Sequence, residues 1–312
     1  MSRLRPWVKW PGAKYYILDR IKAVLPTRTR FVDVFAGGGS VLLNMRGKCL
    51  ANDANSDLIL AWTMLQQHGV GFIDECRELY TTTADTSSSY YAIRKEFNAC
   101  TDLRTRATLF VYLNRHCFNG LCRYNRDGEF NAAYGYGRDK HFPGEEMLAC
   151  LPRLTECTFT AHDFRTVFDE IGEGDVVYCD PPYVPASQYS DFDRYHPGSF
   201  SIEDHISLAN HVRDASARGA HIVVSNSDTT AAHRIYGQAS SIETVGVRRH
   251  ISGKSSGRKL VEEVLFIYDS NRNEQIFEFA PILSVDSQCP TEQICAPLME
   301  AYDGRNYQQR LA

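Results

Sequence analysis

Short apolar runs alternate with longer amphipathic stretches along the chain, and this alternation predicts strands and helices. Five runs predict buried strands: they are FVDVF (31–35), KCLAND (48–53), CTFTAHDF (157–164), DVVYCD (175–180) and AHIVVSNS (220–227). Helical patterns cover SVLLNM (40–45), 56–80, YYAIRKEFNAC (90–100), RATLFVYLNRHCF (106–118) and 202–217. The runs SIETVGVRRH (241–250) and VEEVLFIYD (261–269) predict a closing hairpin with a basic loop between its arms. Strands that alternate with helices in this way predict an α/β fold with a mostly parallel sheet.

A helical and loop-rich insertion interrupts this pattern at about residues 56–145. Its last part, 119–144, contains five glycines and predicts a loop or small hairpin around Arg126-Asp127-Gly128. We therefore predict one domain built from residues 1–55 and 146–268, with the insertion as a second domain. The tail, 269–312, has weak periodicity and is predicted to be a separate acidic extension.

Composition narrows the class of protein. Hydrophobic residues make up 43 % of the 312 residues, which is enough for a sizeable core. No apolar run approaches the roughly 20 residues that span a bilayer, and the basic N-terminus lacks the apolar segment of a secretory signal. The ten cysteines form no C-x-x-C pair, so they predict reduced thiols and no metal site. We expect a cytoplasmic protein, monomeric in solution, with no membrane partner.

The net charge of −4 is unevenly distributed along the chain. Residues 94–140 hold nine Lys or Arg against five acids, and residues 244–260 hold five against none. The tail holds seven acids against three bases. Local basic surfaces on a nearly neutral body are typical of an enzyme that binds a polyanion, although ordinary solvated faces would give the same pattern.

A glycine turn, AGGGS, follows the first predicted strand. Gly37 and Gly39 fit the start of the dinucleotide pattern G-x-G-x-x-G, but Leu42 occupies its third position, and no phosphate-loop lysine follows. Asp53 ends the next strand, where a carboxylate can accept hydrogen bonds from ribose hydroxyls. This combination favours a nucleoside ligand without a phosphate, such as S-adenosylmethionine. A glycine turn of purely structural use is the alternative.

The motif Asp180-Pro181-Pro182-Tyr183 closes the strand DVVYCD, at the sheet edge where open α/β sheets bind ligands. The exocyclic amine of adenine is a poor nucleophile because its lone pair is delocalised into the ring. Hydrogen bonds from this amine to a carboxylate and to the Pro181 carbonyl would localise the lone pair, while Tyr183 stacks on the base. A rigid strand-end turn is the alternative, and the upstream glycine turn makes it the weaker one.

The hexapeptide KWPGAK (9–14) lacks the spacing of a phosphate loop. Taken alone, it predicts a Pro-Gly turn with incidental lysines. The downstream motifs change this interpretation, because a bend at Pro11-Gly12 would direct Trp10 and Lys14 toward the predicted nucleoside site and Lys9 away from it.

Taken together, these motifs resemble the Dam-type DNA adenine-N6 methyltransferases over about residues 5–268. The resemblance rests on KWPGAK, FVDVFAGGGSVLLN, ANDANSDLI, YLNR, FNGLCRYNRDGEFN, VVYCDPPY, YHPGSF and VRRHISGKSSGRKLVEEVLFIY, in this order. It implies a Rossmann-like S-adenosylmethionine-dependent methyltransferase sheet, with residues 56–145 as the target-recognition domain. It also implies double-stranded DNA as partner and a flipped adenine as methyl acceptor, with GATC as the favoured target sequence.

The resemblance assigns roles residue by residue. The catalytic residues would be Asp180, Pro181, Pro182 and Tyr183. The donor-binding residues would be Trp10, Lys14, Phe35, Gly37, Gly39, Asp53, Asp163, Phe164 and Asp180. Phe118 resembles an aromatic wedge that fills the gap in the stack, Asn119 and Arg123 resemble base-reading residues, and Lys9 resembles a contact to the outer base pair. The phosphate contacts would be Arg94, Arg115, Asn125, Asn131 and Arg138.

Several alternatives stay open. Ala133 and Tyr136-Gly137 depart from the family's pattern, so the target is either GATC or another DNA sequence. An enzyme that methylates RNA adenine or a protein glutamine amide is a rival, although those relatives more often carry Asn where this chain has Asp180. A DNA-binding regulator without catalysis is a further rival, and an intact Asp180 and glycine turn argue against it.

Overall fold

A computed structural model describes residues 3–27, 30–137, 140–184, 200–248 and 260–269, all within one compact unit, Met1–Glu274. These residues contain a seven-stranded sheet. Its strands are β1 (Arg30–Asp33), β2 (Lys48–Asn52), β3 (Cys157–Thr160), β4 (Asp175–Cys179), β5 (His221–Ser227), β6 (Ser241–Arg248) and β7 (Leu260–Tyr268).

The strand order is β3-β2-β1-β4-β5-β7-β6. The first five strands run parallel, and β7 lies antiparallel between β5 and β6. Every residue of β4 is buried, as expected of a parallel strand covered on both faces. The Rossmann-like, mostly parallel α/β sheet and the closing hairpin are therefore confirmed.

Helices cover the sheet and form a separate layer beside it. They are α1 (Leu18–Val24), α2 (Ser56–His68), α3 (Val70–Thr82), α4 (Ser87–Ala99), α5 (Leu103–His116), α6 (Gly144–Leu154), α7 (Phe164–Phe168), α8 (Ile202–Ala217) and α9 (Thr230–Tyr236). Single 3₁₀ turns occupy Lys14–Tyr16, Leu42–Asn44 and Phe118–Gly120. The start of α2, α4 and α5 is fixed by an N-cap side chain, from Asn55, Thr86 and Asp102 respectively.

Three predicted elements differ from the structure. The helix predicted at SVLLNM is only the 3₁₀ turn Leu42–Asn44, because the chain turns through Gly47 into β2 at once. The helix predicted at 56–80 is divided at Gly69, whose φ of 51° and ψ of −123° end α2 and begin α3. The third predicted strand ends at Thr160, and Phe164 already belongs to α7.

Apolar clusters lie on both faces of the sheet and within the helical layer. One face packs against α7, α8 and α9, and the other against α1. The third cluster contains apolar residues of the five helices from α2 through α6, together with Trp7 of the N-terminal segment. Because α6 spans the boundary proposed at 145/146, the division into a catalytic and a recognition domain stays a proposal. The predicted extension lies outside the described residues beyond Asp269.

Candidate active site

The carboxyl ends of three neighbouring strands form the candidate site. β1 pairs with β2 on one side and with β4 on the other, all parallel. The glycine turn follows β1, Asp53 follows β2 and Asp180 follows β4. Backbone bonds continue this pairing beyond the strands: Val34 N–H donates to Tyr178 O at 3.0 Å, and Ala36 N–H donates to Asn52 O at 2.7 Å. The topology therefore brings the glycine turn and both carboxylates to one edge of the sheet.

Packing and backbone conformation both require glycine in this turn. Gly37 has a φ of +49° and Gly39 a φ of +77°, a region that other residues adopt only with strain. A Cβ atom at Gly37 would lie 2.7 Å from Trp10 Cδ1, and one at Gly39 would lie 3.0 Å from Trp62 Cζ2. Trp10 of the hexapeptide thus covers the glycine turn directly. The structure places Trp10, Gly37 and Gly39 together, as the donor-site prediction requires.

Asp53 is held against the same turn by two backbone donors. Gly37 N–H donates to Asp53 Oδ2 at 2.9 Å, and Asn55 N–H donates to Oδ1 at 2.9 Å. Burial raises the pKa of the Asp53 carboxyl, and these two hydrogen bonds oppose that rise. Each carboxylate oxygen keeps a further lone pair. Asp53 can therefore still accept two hydroxyl groups, which is the arrangement that a ribose diol needs.

Three aromatic rings lie beside this carboxylate edge. The ring of Phe35 is 5.8 Å from that of Phe164 and 5.6 Å from that of Phe200. Phe164 is buried, whereas Asp163 before it is exposed and caps α7 through Arg165 N–H. Asp163 also pairs with the Arg165 side chain at 2.9 Å. Phe200 ends the motif YHPGSF, which the resemblance included without giving this phenylalanine a role; the rest of the motif lies outside the described residues.

The Asp180 carboxylate is bound on both oxygens. Lys14 Nζ lies 2.7 Å from Oδ2, and Ser225 Oγ lies 2.7 Å from Oδ1. Burial raises the pKa of Asp180, while Lys14 and Ser225 oppose the rise. Lys14 is itself buried, 4.8 Å from the centre of the Tyr183 ring. Its ammonium group also donates to Gly12 O at 2.8 Å, and the predicted role of Lys14 in the donor pocket stays a prediction.

Sequence reasoning did not single out the residues that support this motif. Asn226, wholly buried, accepts hydrogen bonds from Val184 N–H at 3.1 Å and Ser227 N–H at 3.0 Å. Asp33 lies buried at the end of β1, where burial and the charge of Asp180 raise its carboxyl pKa well above the usual value. The signal for Asn226 was the polar SNS that ends the apolar run HIVV.

The predicted hairpin of the recognition segment is present beyond α5. Isolated bridges join Cys117 to Tyr134 and Tyr124 to Phe130. At its tip, Asn125 N–H donates to Glu129 O at 2.9 Å across the predicted Arg-Asp-Gly turn. The hairpin is fixed to α4 next to its tip, because the side chain of Asn98 donates to Phe130 O and accepts from Phe130 N–H. The hairpin is therefore anchored through its backbone, which leaves its polar side chains at the surface.

The predicted DNA-binding residues of this hairpin differ in their surroundings. Phe118 is 54 % exposed, unusual for a phenylalanine, and Asn119 beside it has a φ of +53°. Arg123 is exposed, and its Nε donates to Asn131 Oδ1 at 2.8 Å. The Asn125 side chain is used locally, because its Oδ1 accepts backbone N–H groups within the turn. Phe118 and Arg123 are therefore exposed at the surface, whereas Asn125 shapes the turn at the tip of the hairpin, and their roles toward DNA stay predictions.

The predicted phosphate contacts outside the hairpin tip are less uniform. Arg94 Nη1 donates to Ala132 O at 3.0 Å and its guanidinium lies over the Tyr91 ring. Arg115 is only 6 % exposed, with Nη2 3.2 Å from His141 Nδ1. An arginine buried this deeply does not reach a phosphate in this conformation, so that role remains a prediction. Arg138 lies outside the described residues.

Lys9 connects the hexapeptide to the recognition segment. Asn114 of α5 accepts a hydrogen bond from Lys9 N–H at 3.0 Å and donates its side-chain amide to Lys9 O at 2.7 Å. A Cβ atom at Gly120 would lie 2.6 Å from Lys9 Cβ. Lys9 therefore lies against the turn that carries Phe118 and Asn119, on the recognition side of the hexapeptide.

The described residues contain neither a membrane-spanning helix nor a metal cluster. No described helix is both long and apolar enough to cross a bilayer. Within the same ranges, no cluster of three or more His, Cys, Asp or Glu side chains is arranged to hold a metal ion.

The chain is similar to known DNA adenine methyltransferases over most of its length. Residues 10–251 match the model of a family described as D12 class N6 adenine-specific DNA methyltransferase. A DNA adenine methylase of Serratia marcescens is 38 % identical over 270 residues, covering 86 % of this chain and 100 % of the relative. The DNA adenine methylase of Escherichia coli strain K12 is 36 % identical, covering 86 % and 96 %. Among solved structures, an rRNA methylase from Streptococcus thermophilus matches at 9 % identity, covering 82 % of this chain and 96 % of that one, with a TM-score of 0.31.

Proposed function

Because the chain belongs to the D12 class of N6 adenine-specific DNA methyltransferases, we propose that S-adenosylmethionine is its methyl donor and a flipped-out adenine within GATC its acceptor. The observation that carries this proposal is the Asp180 carboxylate, which lies on the sheet edge that also holds the glycine turn and Asp53. The chemistry needs an acceptor for amine hydrogens next to a donor-binding surface, and this edge offers both.

The residues present fit the proposed donor. Asp53 would accept the ribose hydroxyls, because each of its oxygens keeps a lone pair beyond its backbone hydrogen bond. Phe164 would flank the adenine of the donor, Phe35 would contact its methionine part, and Trp10 would cover the glycine turn. When bound, the donor supplies an electrophilic methyl group. Asp163 would lie at the rim of the adenine site.

The motif residues would prepare the acceptor amine. Asp180 and the Pro181 carbonyl would accept the two amine hydrogens, which favours a pyramidal nitrogen with a localised lone pair. Pro182 would fix the direction of the turn, and Tyr183 would stack on the base. No proton has to leave before the attack, so the chain mainly orients the amine. The negative charge of Asp180 would then stabilise the positive charge that develops at N6 during the transfer.

Double-stranded DNA is the proposed partner. A stacked adenine cannot reach a buried carboxylate, so extrusion is required, at a cost of a few kcal/mol. Phe118, exposed at the end of α5, would fill the gap in the stack. Asn119 and Arg123 would read bases, and Lys9 would contact the outer pair. Arg94, Asn125 and Asn131 would contact phosphates, as would Arg115 after exposure and Arg138. We also propose a monomer that acts in the cytoplasm, where its DNA substrate lies.

A methyl-transfer assay tests the proposal. The chain is incubated with labelled S-adenosylmethionine and a GATC duplex, with a duplex of equal composition that lacks GATC as control. N6-methyladenine in the GATC duplex alone is the expected result. Equal label in both duplexes would refute GATC. Label in a parallel reaction with RNA, but in neither duplex, would refute the DNA acceptor. The Asp180→Ala variant should bind DNA and transfer no methyl group; retained turnover would mean that the acceptor of the amine hydrogens is misassigned.

A further inference from the structure

Ser225, at the end of β5, has no exposed surface. β4 and β5 run parallel with Cys179 beside Val224, so the next residue of each strand, Asp180 and Ser225, also lie side by side. Ser225 Oγ is 2.7 Å from Asp180 Oδ1, and the hydroxyl of Tyr178 lies 2.9 Å from Ser225 Oγ on its other side. A buried hydroxyl therefore stands between the proposed catalytic carboxylate and a buried phenol.

The direction of these hydrogen bonds follows from the chemistry of the groups. An ionised carboxylate only accepts, so Ser225 must donate its single proton to Asp180. The backbone carbonyl of Cys179 is the other acceptor in reach, but at 3.4 Å it is too far to compete with 2.7 Å. The Tyr178 hydroxyl then donates to Ser225 Oγ. The three groups form a directed chain that runs from Tyr178 through Ser225 to Asp180.

We propose that Ser225, supported by Tyr178, is a positioning residue that orients the Asp180 carboxylate toward the acceptor amine. The proposal rests on the role assigned to Asp180 above. Lys14 and Ser225 bind different oxygens of that carboxylate, so its plane cannot rotate without breaking one of the two contacts. One lone pair on each oxygen remains for the amine hydrogen. Ser225 touches no reacting atom and acts only through Asp180.

The hydrogen bond from Ser225 also lowers the pKa of Asp180. The groups that influence its pKa are Lys14 and Ser225, which lower it, and Glu263, which raises it together with burial. Asp33 and Tyr178 also interact electrostatically with Asp180, and the ring of Tyr183 lies 4.8 Å from the Lys14 ammonium group that pairs with Asp180. Removal of the Ser225 donor leaves the raising influences less opposed. The acid limb of the turnover profile should then move to higher pH.

The test compares Ser225→Ala with Ser216→Ala, a control at a buried serine of α8 that makes none of these contacts. We expect Ser225→Ala to lower kcat by about 10- to 100-fold, the loss of one hydrogen bond to a charged group. Donor affinity should change little, and the acid limb of kcat should move to higher pH. Ser225→Thr, which keeps the hydroxyl, should recover kcat and the original profile. The control should leave both unchanged.

Unchanged kcat and unchanged acid limb in folded Ser225→Ala would overturn the proposal. A lower kcat with the original acid limb would also overturn it, because it would show a structural role alone. If Ser225→Ala does not fold, Tyr178→Phe takes its place: a smaller fall in kcat with the same pH direction supports the chain, and wild-type behaviour refutes it. Failure of the proposed function is distinct, because the wild-type chain would then methylate no adenine.

Discussion

Replacement of Lys14 by methionine tests how the hexapeptide is connected to the catalytic motif. Methionine keeps most of the apolar stem but removes the ammonium group. Lys14 is 5 % exposed and the Asp180 side chain 18 % exposed, with 2.7 Å between Nζ and Oδ2. The substitution therefore leaves a carboxylate in a largely buried site, near the acidic side chains of Asp33 and Glu263.

The size of the effect follows from this geometry. Two charges 2.7 Å apart attract by about 6 kcal/mol at an effective dielectric constant of about 20, before any desolvation is counted. Breaking a buried pair by removing one partner costs about 3–5 kcal/mol in measured cases. Asp180 can avoid part of this cost by binding a proton, so we expect a loss of about 3 kcal/mol in the free energy of unfolding near neutral pH.

The pH dependence of this loss has a definite sign. Lys14 lowers the pKa of Asp180, so its removal raises the folded-state pKa further above the unfolded value. A folded state that binds a proton more tightly loses stability as pH rises through that interval. The deficit relative to wild type should thus be small at acid pH, where Asp180 is protonated in both proteins, and should grow toward neutral pH.

Urea denaturation at several pH values measures this deficit, and kcat is measured on the same samples. Lys22→Met, at an exposed lysine of α1, is the matched control for the change in net charge. It should cost less than about 1 kcal/mol at every pH. A deficit in Lys14→Met that does not vary with pH would refute the reasoning, because it would show that Asp180 does not respond to the loss of the ammonium group.

Three further predictions address the other parts of the site. Gly37→Ala should weaken donor binding at least about tenfold in a binding assay, because the new Cβ would lie 2.7 Å from Trp10 Cδ1. Gly174→Ala is the control, because Gly174 also has a positive φ but no neighbour within 4 Å of a Cβ atom; it should lower the free energy of unfolding by roughly 1–2 kcal/mol, from backbone strain alone. Asp57→Ala should lower the free energy of unfolding by about 3–5 kcal/mol, because it removes the buried acceptor of Arg106, and urea denaturation measures this. Arg123→Ala should relax sequence choice at one base by about 1–3 kcal/mol in a binding assay with substituted duplexes, whereas a uniform loss would make it a phosphate contact.

The sheet and its site edge could be predicted from the sequence because local signals determine them. Five apolar runs became five parallel strands, and the residues after β1, β2 and β4 met at one edge because parallel strands share their carboxyl ends. The helix predicted after the glycine turn was wrong: the chain turns at Gly47 and enters β2 at Lys48, so only the single 3₁₀ turn Leu42–Asn44 forms between the two glycine turns.

Other features depend on contacts between residues distant in the chain, and no local pattern shows them. Lys14 meets Asp180 across 166 positions, and Ser225 reaches the same carboxylate from another strand. The burial of Arg115 is similarly invisible, since a basic residue near the end of a helix predicts an exposed charge. A strand that ends in SNS does carry a usable signal, because polar groups directly after a buried strand need partners at the site edge.

The hexapeptide connects two parts of the molecule that have different roles in the proposed mechanism, the recognition segment and the catalytic motif. Lys9 is bonded through its backbone to Asn114 of α5, which leads into the recognition hairpin, and Lys14 binds Asp180. Only five positions separate these two contacts, and Trp10 fixes the segment against the glycine turn between them. A displacement of the hairpin relative to the sheet would therefore strain the Lys14–Asp180 pair unless the turn at Gly12 absorbed it. The short span favours joint positioning of the recognition surface and the catalytic carboxylate over two independently placed sites.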